Sequence, residues 1–334
     1  GQITLSKRLF DTQGDEANRY KEMITLVQSG SGLFNISDFV PALSRFDLQG
    51  VQAKLRKIHL RFDDMITSLL DEHSATAKQR QGRPDFIDKL RASMADSKDS
   101  NDADTISEVN VKGFVFDMFT AGTDTASIIA EWAMAEMIKN PSIMARAQEE
   151  MDRVVGRGRR LEESDVAGLP YLQAVCKEAM RLHPSTPLSI PHFSGEECEV
   201  DGYHIPKNTQ LLVNIWAIGR DAATWEEPLE FRPERFLSGP TANFGRAGEP
   251  LRAHPLRRRP EDLRGEAGRH GVRAYFLSMP VHAFEWRLPE VEKLDMEELL
   301  SLTIPKVVPR RAIVTARLAP AAYVRVMARP MCTL

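Results

Sequence analysis

Residues 109–139, VNVKGFVFDMFTAGTDTASIIAEWAMAEMIK, decide the fold of this chain. A helical pattern runs along the whole stretch, and Asn140-Pro141 stops it, because proline has no N–H with which to continue the ladder. The stretch therefore predicts one long helix. Within it lies Phe119-Thr-Ala-Gly-Thr-Asp-Thr125. A glycine at position 122 costs about 1 kcal/mol relative to alanine in a helix interior, and its missing Cβ lets something flat approach the backbone. Asp124 and Thr125 set a carboxylate beside a hydroxyl on a helix otherwise lined by Phe, Met, Ile and Ala, an arrangement suited to proton delivery. An alternative is that Asp124 merely caps a second helix beginning at Thr125.

Upstream, residues 1–95 read as helical with short breaks. Glu16 to Val27 is amphipathic, and Val51 to Glu72 carries Val51, Leu55, Ile58, Phe62, Ile66 and Leu69 at helical spacing. Ala95 to Ser107, rich in Asp, Ser and Asn, reads as a solvated loop. Downstream, helices are expected from about Ile143 to Val155 and from Pro170 to Leu182. From Glu197 the texture turns β-like. Cys198-Glu-Val and Tyr203-His-Ile flank Asp201-Gly202, a hairpin signal, and Leu211 to Trp216 reads as a strand. Pro228 to Pro240 is irregular. The expected class is mainly α with small β-sheets, in a single domain over residues 1–334.

Composition narrows the options. Lys and Arg number 44 against 47 Asp and Glu, and a net charge of −3 argues against a dedicated nucleic-acid binder. Cys176, Cys198 and Cys332 are too few and too scattered for a disulfide framework or a zinc cluster. No apolar run reaches the about 18 residues of a membrane-spanning helix. The chain opens at Gly1 inside an amphipathic pattern, without an initiator Met, and reads as a fragment missing its beginning.

Two further stretches bear on chemistry. Lys177-Glu-Ala-Met-Arg181 puts Glu178 and Arg181 three residues apart, on one helix face. Arg235, in Pro233-Glu-Arg-Phe236, could reach the same carboxylate; a buried Glu with two Arg partners would lock a loop onto a helix. The alternative is a solvated ion pair. In this order, Ala-Gly-Thr-Asp-Thr, Glu-x-x-Arg and Pro-Glu-Arg-Phe resemble the cytochrome P-450 haem-thiolate monooxygenases, over nearly the whole chain except 245–274. The resemblance implies the C-terminal two-thirds of that fold, with haem b as cofactor. It makes Gly122, Asp124 and Thr125 the catalytic residues on the oxygen-binding side, Thr125 helping to deliver protons to dioxygen. It makes Glu178, Arg181 and Arg235 the structural triad behind the haem, and His192 a candidate donor to a haem propionate. Ala126 departs from the family, where Thr or Ser is commoner.

Glu131-Trp-Ala, Met137-Ile-Lys-Asn-Pro141, His183-Pro-Ser-Thr-Pro-Leu188, Glu199-Val-Asp-Gly-Tyr203 and Asn214-Ile-Trp-Ala-Ile-Gly-Arg-Asp221 look like the plant flavonoid 3′,5′-hydroxylases. Flavonoid 3′-hydroxylases are neighbours, and other plant phenolic hydroxylases are the wider alternative. The resemblance implies hydroxylation of the flavonoid B-ring, with electrons from NADPH through a membrane-bound flavoprotein reductase. It also implies the cytosolic face of the endoplasmic reticulum membrane, held by an N-terminal anchor outside this chain. Ser185, Thr186, Leu188 and Ile190 would lie along the substrate pocket with Phe119 and Ala121 opposite; plain packing is the alternative for each.

One element of the family is missing. Its chemistry needs a cysteine thiolate on iron, supplied by a Phe-x-x-Gly-x-Arg-x-Cys-x-Gly loop beyond Pro-Glu-Arg-Phe. That position falls in an anomalous stretch, Gly245 to Ala274, with eight Arg, three Pro and no aromatic residue. It could be a solvated basic loop or a phosphate- or nucleic-acid-binding patch. The genetic code offers a third reading. GC-rich codons for the family text GNHFELIPFGAGRRICAG, with each triplet begun one nucleotide early, give GEPLRAHPLRRRPEDLRG, which is Gly248 to Gly265. Continuing the displacement yields Glu266 to Ala274, and ordinary text returns at Tyr275. The cysteine codon is then split between Leu263 and Arg264. On this reading 245–274 is frame-displaced, through an error in the recorded sequence or a real pair of indels that leaves an inactive product. A non-catalytic protein with an Arg-rich interaction segment is a reading of another class, and a hydrolase using Cys176 and His183 a further one.

Overall fold

A computed structural model describes residues 33–96, 106–238, 274–289, 294–299, 302–307 and 312–323, apart from single positions, with scattered residues between 18 and 30. Most of the helix expected from Glu16, the loop 97–105, the Arg-rich stretch up to residue 273 and the tail from residue 324 lie outside the described residues. The chain divides into two compact units, 1–124 and 125–334.

In the first unit, α1 (Val51–Ala75), α2 (Phe86–Asp96) and the start of α3 (Glu108–Lys139) surround one apolar cluster. The Asp47 carboxylate accepts the Gln52 and Ala53 N–H groups at 3.0 Å each, serving donors that a first helical turn leaves unpaired. Ser107 and Asn110 cap α3 reciprocally: Ser107 N–H donates to Asn110 Oδ1 at 2.9 Å, and Asn110 N–H to Ser107 Oγ at 3.3 Å. Phe62, Ile66, Leu69 and Leu70 of α1 meet Ile87 of α2 and Val111, Val115 and Phe119 of α3. Leu55, on the predicted apolar stripe, is exposed.

In the second unit, α3 continues to Lys139, and Pro141 opens α4 (Pro141–Val154) at its first position, where a missing N–H costs nothing. α5 (Pro170–Leu182) opens on Pro170 in the same way. The buried Glu150 of α4 accepts the Tyr171 and Leu172 N–H groups at 2.9 and 3.0 Å, so one helix caps the positive end of the next. Met137, Ala147, Met151, Leu172, Val175 and Ala179 form the heart of the core. Each large side chain fully buried there contributes about 1.5–3 kcal/mol.

The sheets are small. β1 (His192–Phe193) pairs with β4 (Gln210–Leu211), β2 (Cys198–Val200) with β3 (Tyr203–Ile205), and β5 (Phe284–Arg287) with β6 (Ile313–Ala316), all antiparallel. Asp201 and Gly202 take φ of 51° and 81°, the pair of positive values a tight hairpin turn needs. The predicted strand Leu211–Trp216 is corrected: only Gln210 and Leu211 pair, and Ile215–Ile218 forms a short helix, α6. Asn214 causes the switch, its Oδ1 accepting the Ala217 N–H at 3.0 Å as an N-cap. A further helix, α7, covers 274–283 and buries Ala274, Leu277 and Val281. In the arm 294–307, residues 297–299 pair with 305–307 through Leu299 N–H to Pro305 O and Val307 N–H to Glu297 O.

Candidate functional site

Glu178 is wholly buried, on the face of α5 that the i,i+3 spacing predicts. Arg181 grips it with two parallel bonds of 2.8 Å, Nε to Oε2 and Nη2 to Oε1. Arg235 Nε donates to Oε1 at 3.0 Å, and the Arg232 N–H to the same oxygen at 2.8 Å. The two guanidinium groups reach further. Arg181 donates to the carbonyls of Gly219, Pro228 and Glu230, and Arg235 to that of Glu226 at 2.9 Å. One carboxylate thus fastens the irregular segment 219–236 to α5, and charge-assisted forked bonds are the strong kind. Trp225 lies under both cations, 5.3 Å from Arg181 and 5.9 Å from Arg235. Gly219 has no substitute here, since a Cβ would collide with the Arg181 carbonyl.

On α3, Gly122 is exposed, and an added Cβ would meet nothing within 4 Å. Asp124 and Thr125 are half-buried and continuous with the helix, so no second helix begins at Thr125. The division between the two units falls between them. Ala121 is exposed, whereas Phe119 is buried in the first unit's core. In the second unit, Ser185 and Thr186 are half-buried and Leu188 and Ile190 exposed. His192 is exposed on β1, opposite Leu211. A cavity of about 470 Å³ in this unit, lined by Arg160, Tyr275, Met279, Phe284, Leu318 and Tyr323 among others, includes none of the predicted site residues.

Sequence reasoning missed a polar cluster around His183. The ring stacks on the fully buried Trp132 at 4.1 Å and 4°. Its Nε2 faces Glu136 at 3.0 Å and its Nδ1 faces Glu298 at 3.2 Å. The hydrogen bond with His183, reinforced by Arg220, holds the Glu298 carboxyl below the ordinary carboxylate range against the opposing effect of burial. With both nitrogens so engaged, His183 does not serve as the base of a Cys176 nucleophile. Cys176 itself is buried inside α5, Cys198 is exposed on β2, and Cys332 lies outside the described residues. Among the described residues, no helix is long and apolar enough to cross a membrane.

A family model described as Cytochrome P450 matches residues 1–248. Flavonoid 3′,5′-hydroxylase 2 of Petunia hybrida is 47% identical over 319 residues, covering 95% of this chain and 62% of that protein. Flavonoid 3′,5′-hydroxylase of Solanum melongena is 46% identical, with 95% and 61% covered. Flavonoid 3′-monooxygenase of Arabidopsis thaliana is 42% identical, with 97% and 64% covered. The chain therefore spans less than two thirds of the length of these curated relatives. Among solved structures, a zebra fish cytochrome P450 with abiraterone superposes with a TM-score of 0.72 at 26% identity, covering 95% of this chain and 68% of that one.

Proposed function

The chain belongs to the cytochrome P450 family, and from that premise we propose that its gene product hydroxylates the B-ring of flavonoids with NADPH and dioxygen. The observation that carries this reading is 42–47% identity, spread over 95–97% of the chain, to relatives named for that reaction. Hydroxylation at both 3′ and 5′ is favoured over 3′ alone because the relatives at 46–47% identity carry the former name and the one at 42% the latter. The substrate is a flavonoid small molecule, the electron donor a flavoprotein reductase, and the location the endoplasmic reticulum membrane.

The chemistry of such enzymes takes haem with a cysteine thiolate on iron. Among the described residues, no cysteine fits that ligand. Cys176 is enclosed in the core, and Cys198 sits on an exposed hairpin of a different segment from the triad's. What the chain does retain is framework: the Glu178 lattice, the open helix face at Gly122, and Asp124 and Thr125 as groups able to hold a proton. Ser185, Thr186, Leu188 and Ile190 are its pocket wall, and His192 its propionate donor.

The missing ligand and the Arg-rich stretch have one explanation, a displaced reading frame over about residues 245–274. The family match ends at residue 248, at the start of that stretch, which supports this reading. The test is to sequence genomic DNA and transcript across the codons for Asn243 to Tyr275. The full-length gene product is then expressed with an NADPH-dependent flavoprotein reductase and given a flavanone. An uninterrupted family frame and a B-ring-hydroxylated product are expected. Both frame changes in the transcript, with no product, would reduce flavonoid hydroxylation to the protein's ancestry.

A further inference from the structure

His183 follows the last residue of α5, and both its ring nitrogens face carboxylates: Glu136 of α3 at 3.0 Å and Glu298 at 3.2 Å. A carboxylate can only accept, and a neutral imidazole carries a single N–H. Two contacts at hydrogen-bond distance therefore require a hydrogen on both nitrogens, or one on a carboxyl group. Glu136 is buried, with the Asn140 amide 3.4 Å and the Lys139 ammonium 3.7 Å from its second oxygen. Glu298 also accepts from Trp216 Nε1 at 3.3 Å and Arg220 Nη2 at 3.5 Å.

The ring is also a mechanical junction. Trp132, on which it stacks, donates its indole N–H to the Ile304 carbonyl at 2.9 Å, and Lys306 lies 4.8 Å from the indole ring. The Ile304 N–H in turn donates to the Ser185 carbonyl at 3.0 Å. Among the described residues, the charged groups that face the junction include Glu136 and Lys139 from α3, Arg220 after α6, and Glu298 and Lys306 from the arm 294–307.

We infer that Glu136, His183 and Glu298 share one proton in a clamp that fastens the arm 294–307 against Ser185, and that loss of this proton as pH rises releases the arm. With the proton present, each ring nitrogen donates to a carboxylate. Once it leaves, one nitrogen becomes an acceptor facing another acceptor, and that contact turns repulsive. The clamp rests on the geometry of the second unit alone; its bearing on substrate binding rests on the reading of Ser185 to Ile190 as pocket wall.

The experiment uses the 334-residue chain with nitrogen-15 in its histidine rings, read by long-range proton–nitrogen spectra from about pH 5 to about pH 9. Hydrogen exchange over 294–307 is followed in parallel and corrected for the intrinsic pH dependence of amide exchange. At the acidic end of this range both His183 nitrogens should carry a hydrogen. Protection of the arm should fall about tenfold over the same pH interval in which the His183 ring loses a hydrogen, the scale of one charge-assisted hydrogen bond. In Glu298→Gln the amide N–H can donate to the bare Nδ1, so the arm should stay protected throughout. Arm protection that does not follow the His183 ring, or that has the same pH dependence in both proteins, overturns the proposal.

Discussion

Taking the carboxylate from Glu178 leaves the Arg181 and Arg235 guanidinium groups and the Arg232 N–H without the oxygens they donate to. Breaking a buried ion pair by removing one partner costs about 3–5 kcal/mol, so Glu178→Ala should lower the urea midpoint of the chain by the equivalent of that loss. Arg235→Lys keeps the charge and loses the forked donor geometry, and should cost less. A Glu178→Ala midpoint indistinguishable from wild type would mean that the lattice is solvated. The Glu178–Arg181 pair was legible because three residues is a helical neighbour distance. Arg235 stands 57 residues from Glu178 and was reachable only through the Pro-Glu-Arg-Phe motif. The partners of His183 are 47 and 115 residues away. Glutamates are common enough that nothing short of the folded chain singles out Glu136 and Glu298.

Among elements, the turn Glu163–Gly168 shows how a local segment depends on acid–base state. Asp165 accepts both terminal nitrogens of Arg159, at 2.6 and 2.7 Å, and the Glu162 N–H at 2.8 Å. The bonds from Arg159, opposed by burial and helped by the Glu162 N–H, hold the Asp165 carboxyl down at about 2. Its folded value lies below the ordinary value of 3.8, so its stabilisation is whole above that pH and is lost as pH falls toward 2. The gap in thermal midpoint between wild type and Asp165→Asn should therefore be constant down to about pH 4 and close near pH 2. A gap that does not vary with pH would show that the carboxylate's charge plays no part. The long helix, both Pro-initiated helices and the Asp201-Gly202 hairpin were legible because each has a start or stop signal in its own residues. The run Leu211 to Trp216 was misread because apolar texture alone does not separate a strand from a short helix, and the cap at Asn214 decides it.

For the whole molecule, the decisive prediction is spectroscopic. The 334-residue chain, offered haem, reduced and exposed to carbon monoxide, should lack the thiolate-type absorption band. The same chain with residues 248–274 rewritten in the family frame should gain it. A thiolate band from the chain as written would overturn the reading of its Arg-rich stretch. A polypeptide released from selection cannot purge substitutions that strand a buried charge, and Glu178, Arg181, Arg235 and Gly219 each offer such a substitution. More than half of the aligned positions differ from the Petunia relative, yet the lattice is complete, with Arg181 alone reaching three backbone carbonyls. Natural selection was still reading this text after most of that divergence had accumulated, and a break in frame carried by the gene itself would have to be younger than that divergence.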